Sequence, residues 1–393
     1  MQQQKSPIGK LIAFILVLGL AAGVYRWWET QHSPGTPGAS ATVPGFGGLL
    51  GGGGVGEIEF LTTATKSGWV TTEADKFNSA NNGKYKVTVK LIESRDAMNA
   101  ILYGKDKPTI WSPSSPIWIN RLITVWGDKH NGQHIAATDD QSDYQVYFKS
   151  PIVFITTQPK AAFLKPILTS PNCWDNVREL SLGHKKVPWG TFKFSHADPL
   201  NANSGMLTMS LILTEYAKKT NQFGDLATVA GSSDFASYLV QLDKAFVNDA
   251  SVKGSGSLEK AFSDNPSSRD FITAYESAAL EAVKNNSGLA VIYPNPTAVA
   301  DQSAAILSAP WVTPEKKEGA QAFLKFLGTA ESLQDAAKYH FRPASSGTNS
   351  SVLTDLSNQA SHGFQQSYAA IELPPYNALN EAANVWRTRV ASR

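Results

Sequence analysis

Three short segments combine hydroxyl or amide side chains with glycine or proline where a strand is expected to end and a helix to begin. These segments are Thr65–Trp69, Ser112–Ser115 and Asn203–Gly205. The first turn of a helix has backbone N–H groups without partners, so it favours anions and polar oxygens. The same residue types are also ordinary helix caps. Each segment alone is explained as a cap or turn, whereas three at corresponding places favour a site for a small polar ligand.

Tryptophans lie beside two of these segments. Trp69, Trp111 and Trp118 flank the first and second of them. Aromatic walls suit sugars and other ligands with apolar faces, whereas serine hydroxyls and helix starts suit an oxyanion. The sequence therefore leaves the ligand open between an oxyanion and a sugar-like molecule.

The histidines offer weaker candidates for catalysis or metal binding. His196 and Asp198 could form an acid–base pair, although polar residues in a loop are the commoner explanation. His130 and His134 have the i, i+4 spacing of metal ligands on a helix. The residues between them, Asn131-Gly132, indicate a turn and argue against helical geometry.

Nucleophilic motifs are equally weak. Ser257 and Lys260 match S-x-x-K, but the S-D-N and K-T-G motifs that accompany it in serine acyl-enzymes do not occur. The single cysteine, Cys173, cannot form an internal disulfide or a multi-cysteine metal site. We therefore predict a binding protein that is not an enzyme, with no catalytic residue, no metal and no cofactor.

Alternating strands and helices must position these segments. Serine at position 94 is expected to cap the second helix. A β-α-β-α-β-α order predicts an open, mainly parallel sheet covered by helices on both faces. The expected strands of this first part are Glu57–Leu61, Lys86–Ile92 and Pro108–Trp111, and the clearest helices are 94–103 and Ile117–Trp126.

The rest of the chain continues the alternation. Apolar residues at Phe271, Ala274, Ala278 and Ala282 follow a helical period and predict a helix that begins at Ser268. The other expected strands are Pro151–Thr157, Thr191–Phe194, Leu289–Tyr293 and Ala304–Leu307, and the other expected helices are Pro159–Leu168, Trp174–Leu182, one from Met206 to about Lys219, and one from Thr313.

The N-terminal residues 1–32 have the pattern of an export segment. Lys5 and Lys10 precede an uncharged apolar run, Leu11–Tyr25, and Trp27-Trp28 follows it. A cleaved signal peptide and an uncleaved signal-anchor both fit. We favour the anchor, with residues 11–28 in the membrane, because the cleavage motif is poor and aromatic residues suit the membrane interface. Residues 33–56 are rich in glycine and proline and read as a linker.

Composition limits the classes of partner. The chain has 393 residues, is 42% hydrophobic and has a net charge of +2. A nucleic-acid-binding protein would need a strongly basic surface, so we predict no nucleic-acid partner. The basic excess lies within residues 1–32, and the remainder carries no net charge. Export and a lone cysteine predict the periplasm or the cell surface, with attachment to the cytoplasmic membrane through the N-terminal helix.

Several segments resemble bacterial extracellular, or periplasmic, solute-binding proteins of the type 2 periplasmic-binding fold. Within that group the sequence is similar to a branch sometimes associated with von Willebrand factor A domains. The segments that carry the resemblance are Phe194–Pro199, Asn203–Gly205, Ala274–Glu276, Ala290–Pro294, Ala309–Glu315, Ala322–Leu327 and Arg342-Pro343.

The resemblance implies two α/β lobes with a ligand between them. Residues 57–150 and 303–393 would form lobe 1, and residues 151–302 lobe 2. The chain would cross between the lobes near Pro151–Thr157 and Ala304–Val312. The implied ligand-binding residues are Ser67, Gly68, Trp69, Ser114 and Ser115 in lobe 1, and Asn203, Ser204, Gly205, Tyr275 and Tyr293 in lobe 2.

The implied function is capture of a small polar ligand in the cleft for an ABC-type importer, with its permease as a partner. The alternative is a membrane-anchored sensor or protein-interaction module of the same fold, with a von Willebrand factor A-domain protein as a possible partner. An envelope hydrolase using His196 and Asp198 is a third interpretation. Glu276 would either bind a cationic group of the ligand or be a solvated helix charge.

Overall fold

A first sheet is built from the N-terminal strands. The structure, a computed structural model, describes residues 56–81, 83–249, 252, 254–344 and 363–391. Strands β1 (Gly56–Thr62), β2 (Tyr85–Leu91) and β3 (Ile110–Ser112) are parallel, in the order β2-β1-β3. Helices α1 (Ser67–Ala80), α2 (Ser94–Leu102) and α3 (Pro116–Lys129) connect or follow them. The predicted β-α-β-α-β-α order is thus confirmed.

The strand β4 (Tyr144–Thr157) belongs to two sheets. Its residues 144–151 pair with β8 (Val299–Ile306) in the first sheet. Its residues 152–157 pair with β6 (Phe271–Tyr275) and β7 (Leu289–Ile292) in a second sheet. All these pairings are antiparallel. The sheets are therefore mixed, where the sequence predicted mainly parallel ones.

Between β4 and β8, the described residues include two passages of the chain from one sheet to the other. The first passage lies within β4, inside the predicted segment Pro151–Thr157. The second lies between β7 and β8, in residues 293–298. The prediction placed it near Ala304–Val312, but residues 304–306 already pair within the first sheet.

Helices of the central part of the chain pack around the second sheet. The short β5 (Phe194–Ser195) extends this sheet parallel to β6. The helices are α4 (Gln158–Leu168), α5 (Cys173–Ser181), α6 (Asn203–Thr220), α7 (Leu226–Ala230), α8 (Ser233–Leu242), α9 (Ser255–Asp264) and α10 (Glu276–Asn285).

The predicted helix from Ser268 is wrong. Its first apolar residues form β6, and all five residues of this strand are buried. The helix α10 begins only at Glu276. A short apolar run that is buried on both faces cannot be assigned to strand or helix by periodicity alone.

The C-terminal part contacts both sheets. Helices α11 (Pro314–Leu327) and α12 (Ala330–Ala337) precede β9 (Arg342–Pro343), which pairs with β4 in the first sheet. Helix α13 (Tyr376–Trp386) buries Ala378, Ala382 and Trp386 in the same core as α6 and α7, beside the second sheet. The predicted lobe 1 would include this helix, although it packs with elements of lobe 2.

Within the described part of the chain, no helix is long and apolar enough to span a bilayer. The predicted anchor at residues 11–28 and the linker, apart from Gly56, lie outside the described residues.

Candidate functional site

A cavity of about 700 Å³ lies where the loops after β1, β2 and β3 meet the beginnings of α6, α9 and α10. The first-sheet side contributes Thr65, Glu93 and Ser114. The opposite side contributes, among others, Asn203 and Tyr275. The carboxyl ends of parallel strands are where open α/β folds bind ligands, and the cavity occupies that place.

The side chain of Asn203 joins the two sides at the base of the cavity. Its Oδ1 accepts a hydrogen bond of 2.9 Å from Nε1 of Trp118. Its Nδ2 donates to the hydroxyl of Tyr275 at 2.8 Å and to the backbone oxygen of Ser114 at 3.4 Å. Asn203 therefore has partners from both halves, which makes it sensitive to their relative position.

A buried lysine supports the loop that holds Ser114. Lys66 is 2% exposed, and its Nζ donates to the backbone oxygen of Pro113 at 2.8 Å and to Oε1 of Gln302 at 2.9 Å. Gln302 in turn donates to the backbone oxygen of Ser114. Burial lowers the pKa of Lys66 to about 7. Sequence reasoning missed this residue, since nothing near it distinguishes a buried lysine from an exposed one.

Two helix starts meet on the opposite side. The hydroxyls of Ser204, in the first turn of α6, and Ser255, in the first turn of α9, lie 2.6 Å apart. Gly205 packs so closely on the preceding loop that a Cβ there would lie 2.2 Å from the backbone oxygen of Ala197. The predicted segment Asn203–Gly205 is thus the first turn of the helix, where the sequence placed it just before the helix.

Acidic side chains also line the cavity, and sequence reasoning did not single them out. Glu259 lies in α9 and lines the cavity. Burial raises its pKa to about 7, although a hydrogen bond from the backbone N–H of Tyr275 acts in the opposite direction. Burial, followed by the charge of Asp96, raises the pKa of Glu93. Burial also raises the pKa of Tyr275, which keeps its phenol protonated at neutral pH. The only available signal was the serine- and glycine-rich start of α9, residues 254–257.

The predicted residues of the first segment do not line the cavity. Ser67 donates to the backbone oxygen of Ala64, and Gly68 packs on the ring of Tyr339. Trp69 is buried in the core of the first sheet, with its indole N–H bound to the backbone oxygen of Ser332. Of that segment, only Thr65 reaches the cavity.

Two further predicted residues have other roles. Ser115 is fully buried and caps α3, with its Oγ accepting from the N–H of Ile117 at 3.4 Å. Tyr293 is buried and donates its hydroxyl proton to Glu276. Trp111 and Trp118 are buried in the core and do not form aromatic walls of the cavity.

Helix α2 begins differently from the prediction. The N-cap position belongs to Glu93, and Ser94 is the first helical residue. The Oγ of Ser94 accepts a hydrogen bond of 3.1 Å from the N–H of Ser114. This serine therefore fixes the neighbouring loop, where the sequence predicted a helix cap.

Glu276 is neither solvated nor directed at a ligand. It is 1% exposed and forms a two-pronged ion pair with Arg342, through Nε and one terminal nitrogen of the guanidinium. Both interpretations of Glu276 from the sequence are therefore wrong, because its partners are other side chains of the chain.

The weak catalytic and metal candidates are also placed elsewhere. His196 is buried with Nδ1 at the backbone oxygen of Ala197, and Asp198 forms an ion pair with Arg387. His130 stacks on Trp126. Among the described residues, no group of three or more potential ligands could hold a metal ion.

The S-x-x-K residues do not form a nucleophile–base pair in the structure. Ser257 closes the first turn of α9 through Gly254, and Lys260 pairs with Asp264. Each of the two side chains thus bonds to another residue of α9 or its N-cap.

The sequence profile of one protein family, described as bacterial extracellular solute-binding protein, matches residues 58–342. The chain belongs to this family. Members of the family bind solutes, so the predictions of a binding function and of a non-enzyme are confirmed. Among curated proteins, no sequence matches the chain.

Solved structures confirm the fold of this solute-binding protein. The sulfate-binding protein SubI from Mycobacterium tuberculosis H37Rv has a TM-score of 0.55 at 15% identity, over 80% of this chain and 94% of SubI. An ABC transporter structure from Clostridium perfringens has a TM-score of 0.56 at 13% sequence identity, over 84% of this chain and 99% of that protein. Iron-bound HitA from Pseudomonas aeruginosa has a TM-score of 0.56 at 11% sequence identity, over 85% of this chain and 99% of HitA. At these identities the similarity establishes the periplasmic-binding-protein fold alone.

Proposed function

We propose that this solute-binding protein captures a small polar solute in the cavity and delivers it to an ABC-type importer. The observation that carries the proposal is the base of the cavity, where Asn203 bonds to Trp118 and Ser114 on one side and to Tyr275 on the other. A solute bound there would contact both halves of the molecule. The importer is supported by the structural similarity to the Clostridium perfringens protein, which is described as an ABC transporter.

The predicted lobes form part of the same proposal. Residues 57–150 and 303–393 would make up lobe 1 and residues 151–302 lobe 2, with α13 attached to lobe 2 by its packing. A solute that binds the closed arrangement more tightly than the open one would shift the balance toward closure. A transporter could then distinguish the loaded protein from the empty one.

The binding site can be tested with the purified chain and a calorimetric panel of oxyanions, sugars and amines. We expect one class to bind saturably, and Asn203→Ala to weaken its binding at least tenfold, about the effect of losing one or two hydrogen bonds at a desolvated site. Asn120→Ala is the matched control, since Asn120 is exposed and outside the cavity. Unchanged affinity in Asn203→Ala, or the absence of any saturable ligand, would contradict the proposal.

We also propose that residues 11–28 anchor the protein to the cytoplasmic membrane and that residues 33–56 act as its tether, facing the periplasm or the cell surface. The apolar run and the aromatic residues that follow it support this placement. A membrane-held sensor with a von Willebrand factor A-domain partner is the alternative that such a tether favours. N-terminal sequencing of the exported protein tests the anchor, and a new N-terminus after Gly23 would exclude it.

A further inference from the structure

The cavity contains two carboxylates that have no cationic partner. Glu93 lines it from the first-sheet side and Glu259 from the opposite side. Within the described residues, neither forms an ion pair with a lysine, arginine or histidine of the chain. The Oε1 atom of Glu259 is shielded from solvent and has no hydrogen-bond partner there. A carboxylate oxygen without a donor is costly. The half-buried side chain of Glu259 lines the cavity, so a bound ligand that brings a donor to this carboxylate would offset the cost.

The cations around the cavity do not compensate these carboxylates. Lys284 and Lys338 are at its rim, with side chains 57% and 74% exposed, and each already pairs with another acid. Those acids are Glu281 and Asp335, respectively. The ammonium group of the buried Lys66 donates its hydrogen bonds to the backbone oxygen of Pro113 and to the side chain of Gln302. When Glu259 is ionised, above its pKa of about 7, the cavity therefore attracts positive charge at Glu259 and Glu93.

An oxyanion fits this arrangement poorly. The first turns of α6 and α9 would attract an anion through their N–H groups and dipoles. The same cavity, however, exposes that anion to the carboxylate of Glu259, which lies only one turn into α9. Since Coulomb repulsion grows at low effective dielectric, an oxyanion at the α9 start would be opposed where a cation would be favoured.

We infer, on the basis of the proposed function, that the solute carries a protonated or quaternary nitrogen that binds the Glu259 carboxylate, in a cavity whose other side presents Glu93. The hydroxyl groups of Ser255 and Tyr275 provide neutral contacts for the rest of the solute. This choice narrows the ligand from oxyanions and sugars to small amines and related cations.

Binding of such a solute should depend on pH through Glu259. Its pKa of about 7 in the empty protein means that acidification removes the charge that the cation binds. The helix α9 packs against α6, β6 and α10. On these elements, the titratable or charged residues that line the cavity are Tyr275, Glu281 and Lys284. Two further charged residues, Glu93 and Lys338, line the cavity from other elements.

Tyr275 and Glu281 do not account for a change between pH 6 and pH 8, and the Glu93→Gln variant separates the contribution of Glu93, whose pKa is raised by burial. Tyr275 stays protonated, because burial raises its pKa. Partial burial raises the pKa of Glu281, but hydrogen bonds from Asn285 and His340 outweigh it and lower the pKa overall. Burial lowers the pKa of His340. Affinity for a permanent cation should therefore rise about tenfold from pH 6 to pH 8, as a single group of pKa about 7 ionises.

The test uses the purified chain and calorimetry with named probes. The cations are putrescine, choline and lysine, the anions sulfate, phosphate and fructose 6-phosphate, and the neutral probe glucose. We expect a cation to bind, with at least tenfold weaker affinity in Glu259→Gln, about the effect of one charge-assisted hydrogen bond, and weaker affinity in Glu93→Gln. The pH dependence should disappear in Glu259→Gln. Glu331→Gln, an exposed glutamate outside the cavity, is the control.

The outcomes separate the two proposals. If only an anion or glucose binds, and Glu259→Gln retains or improves its affinity, the cationic solute is excluded while solute binding stands. If no probe binds, both the proposed function and the inference fail. Thermal unfolding of each variant shows whether it is folded, and Glu259→Gln should melt no lower than the wild type because it removes a desolvated charge.

Discussion

Replacement of Arg342 by methionine is expected to lower the free energy of unfolding by about 3–5 kcal/mol. The substitution leaves Glu276, which is 1% exposed, without its charged partner, and removal of one member of a buried pair has effects of this size. The guanidinium also donates to the backbone oxygens of Gln365 and Gln366. Its loss would therefore release the 363–371 segment as well. Equilibrium unfolding in urea measures the change.

The destabilisation should also depend on pH. Burial already raises the pKa of Glu276 in the wild type, and loss of Arg342 removes the group that opposes this shift. An acid whose folded-state pKa is raised binds more protons in the folded state, so stability falls as pH rises above its unfolded pKa. Arg342→Met should thus lose more stability at pH 8 than at pH 5.

The matched control is Lys260→Met, which breaks the exposed pair with Asp264 and should change stability by no more than about 0.5 kcal/mol. Addition of Glu276→Gln to Arg342→Met should recover part of the loss, because no buried charge is then left unpaired. A free energy of unfolding of Arg342→Met within about 1 kcal/mol of the wild-type value would contradict the prediction, because loss of one member of a buried pair typically costs more than that.

Substitution of Gly205 by alanine has the second large expected effect. The added Cβ would lie 2.2 Å from the backbone oxygen of Ala197 and 2.8 Å from the carbonyl carbon of Asp198. Backbone atoms cannot move aside as a side-chain tip can, so either the loop or the first turn of α6 must shift. We expect a loss of about 3 kcal/mol or more, and weaker solute binding because Asn203 lies in that turn.

Gly256 provides a close control, since it lies in the first turn of α9, the other helix that begins at the cavity. A Cβ at Gly256 would meet nothing within 4 Å. Gly256→Ala should be neutral or more stable by about 0.4–1 kcal/mol, because alanine reduces the freedom of the unfolded chain. Urea unfolding of the two variants compares them directly. Equal stability of Gly205→Ala and the wild type would show that the close approach is not tight in solution.

The sequence predicts the fold better than it predicts the site. The strands of the first sheet follow from alternating apolar residues such as those of Tyr85–Leu91. The strand Phe271–Tyr275 was misassigned, because burial on both faces leaves no period-two pattern. The second passage between the sheets was placed too late, since its position depends on long-range pairing with β4.

Three of the residues chosen from the sequence, each a hydroxyl or amide where a strand ends or a helix begins, lie at the cavity. Ser114, Asn203 and Tyr275 do line the cavity, although their binding role stays a prediction. Glu259 was missed because a glutamate within a helix usually faces solvent. Tyr293 does not line this cavity and bonds to Glu276 instead, a contact that nothing in the sequence around it indicates.

The shared strand β4 has a mechanical consequence. A single continuous strand of 14 residues links both sheets, and Pro151 lies where pairing changes from one sheet to the other. Proline lacks an N–H, so it donates no hydrogen bond to the ladder at that residue. If one half rotated against the other, this point of β4 and the second passage at residues 293–298 would share the torsion. Twisting the chain there would strain the paired backbone on both sides of Pro151, so release of a solute would favour return to the arrangement of the free protein.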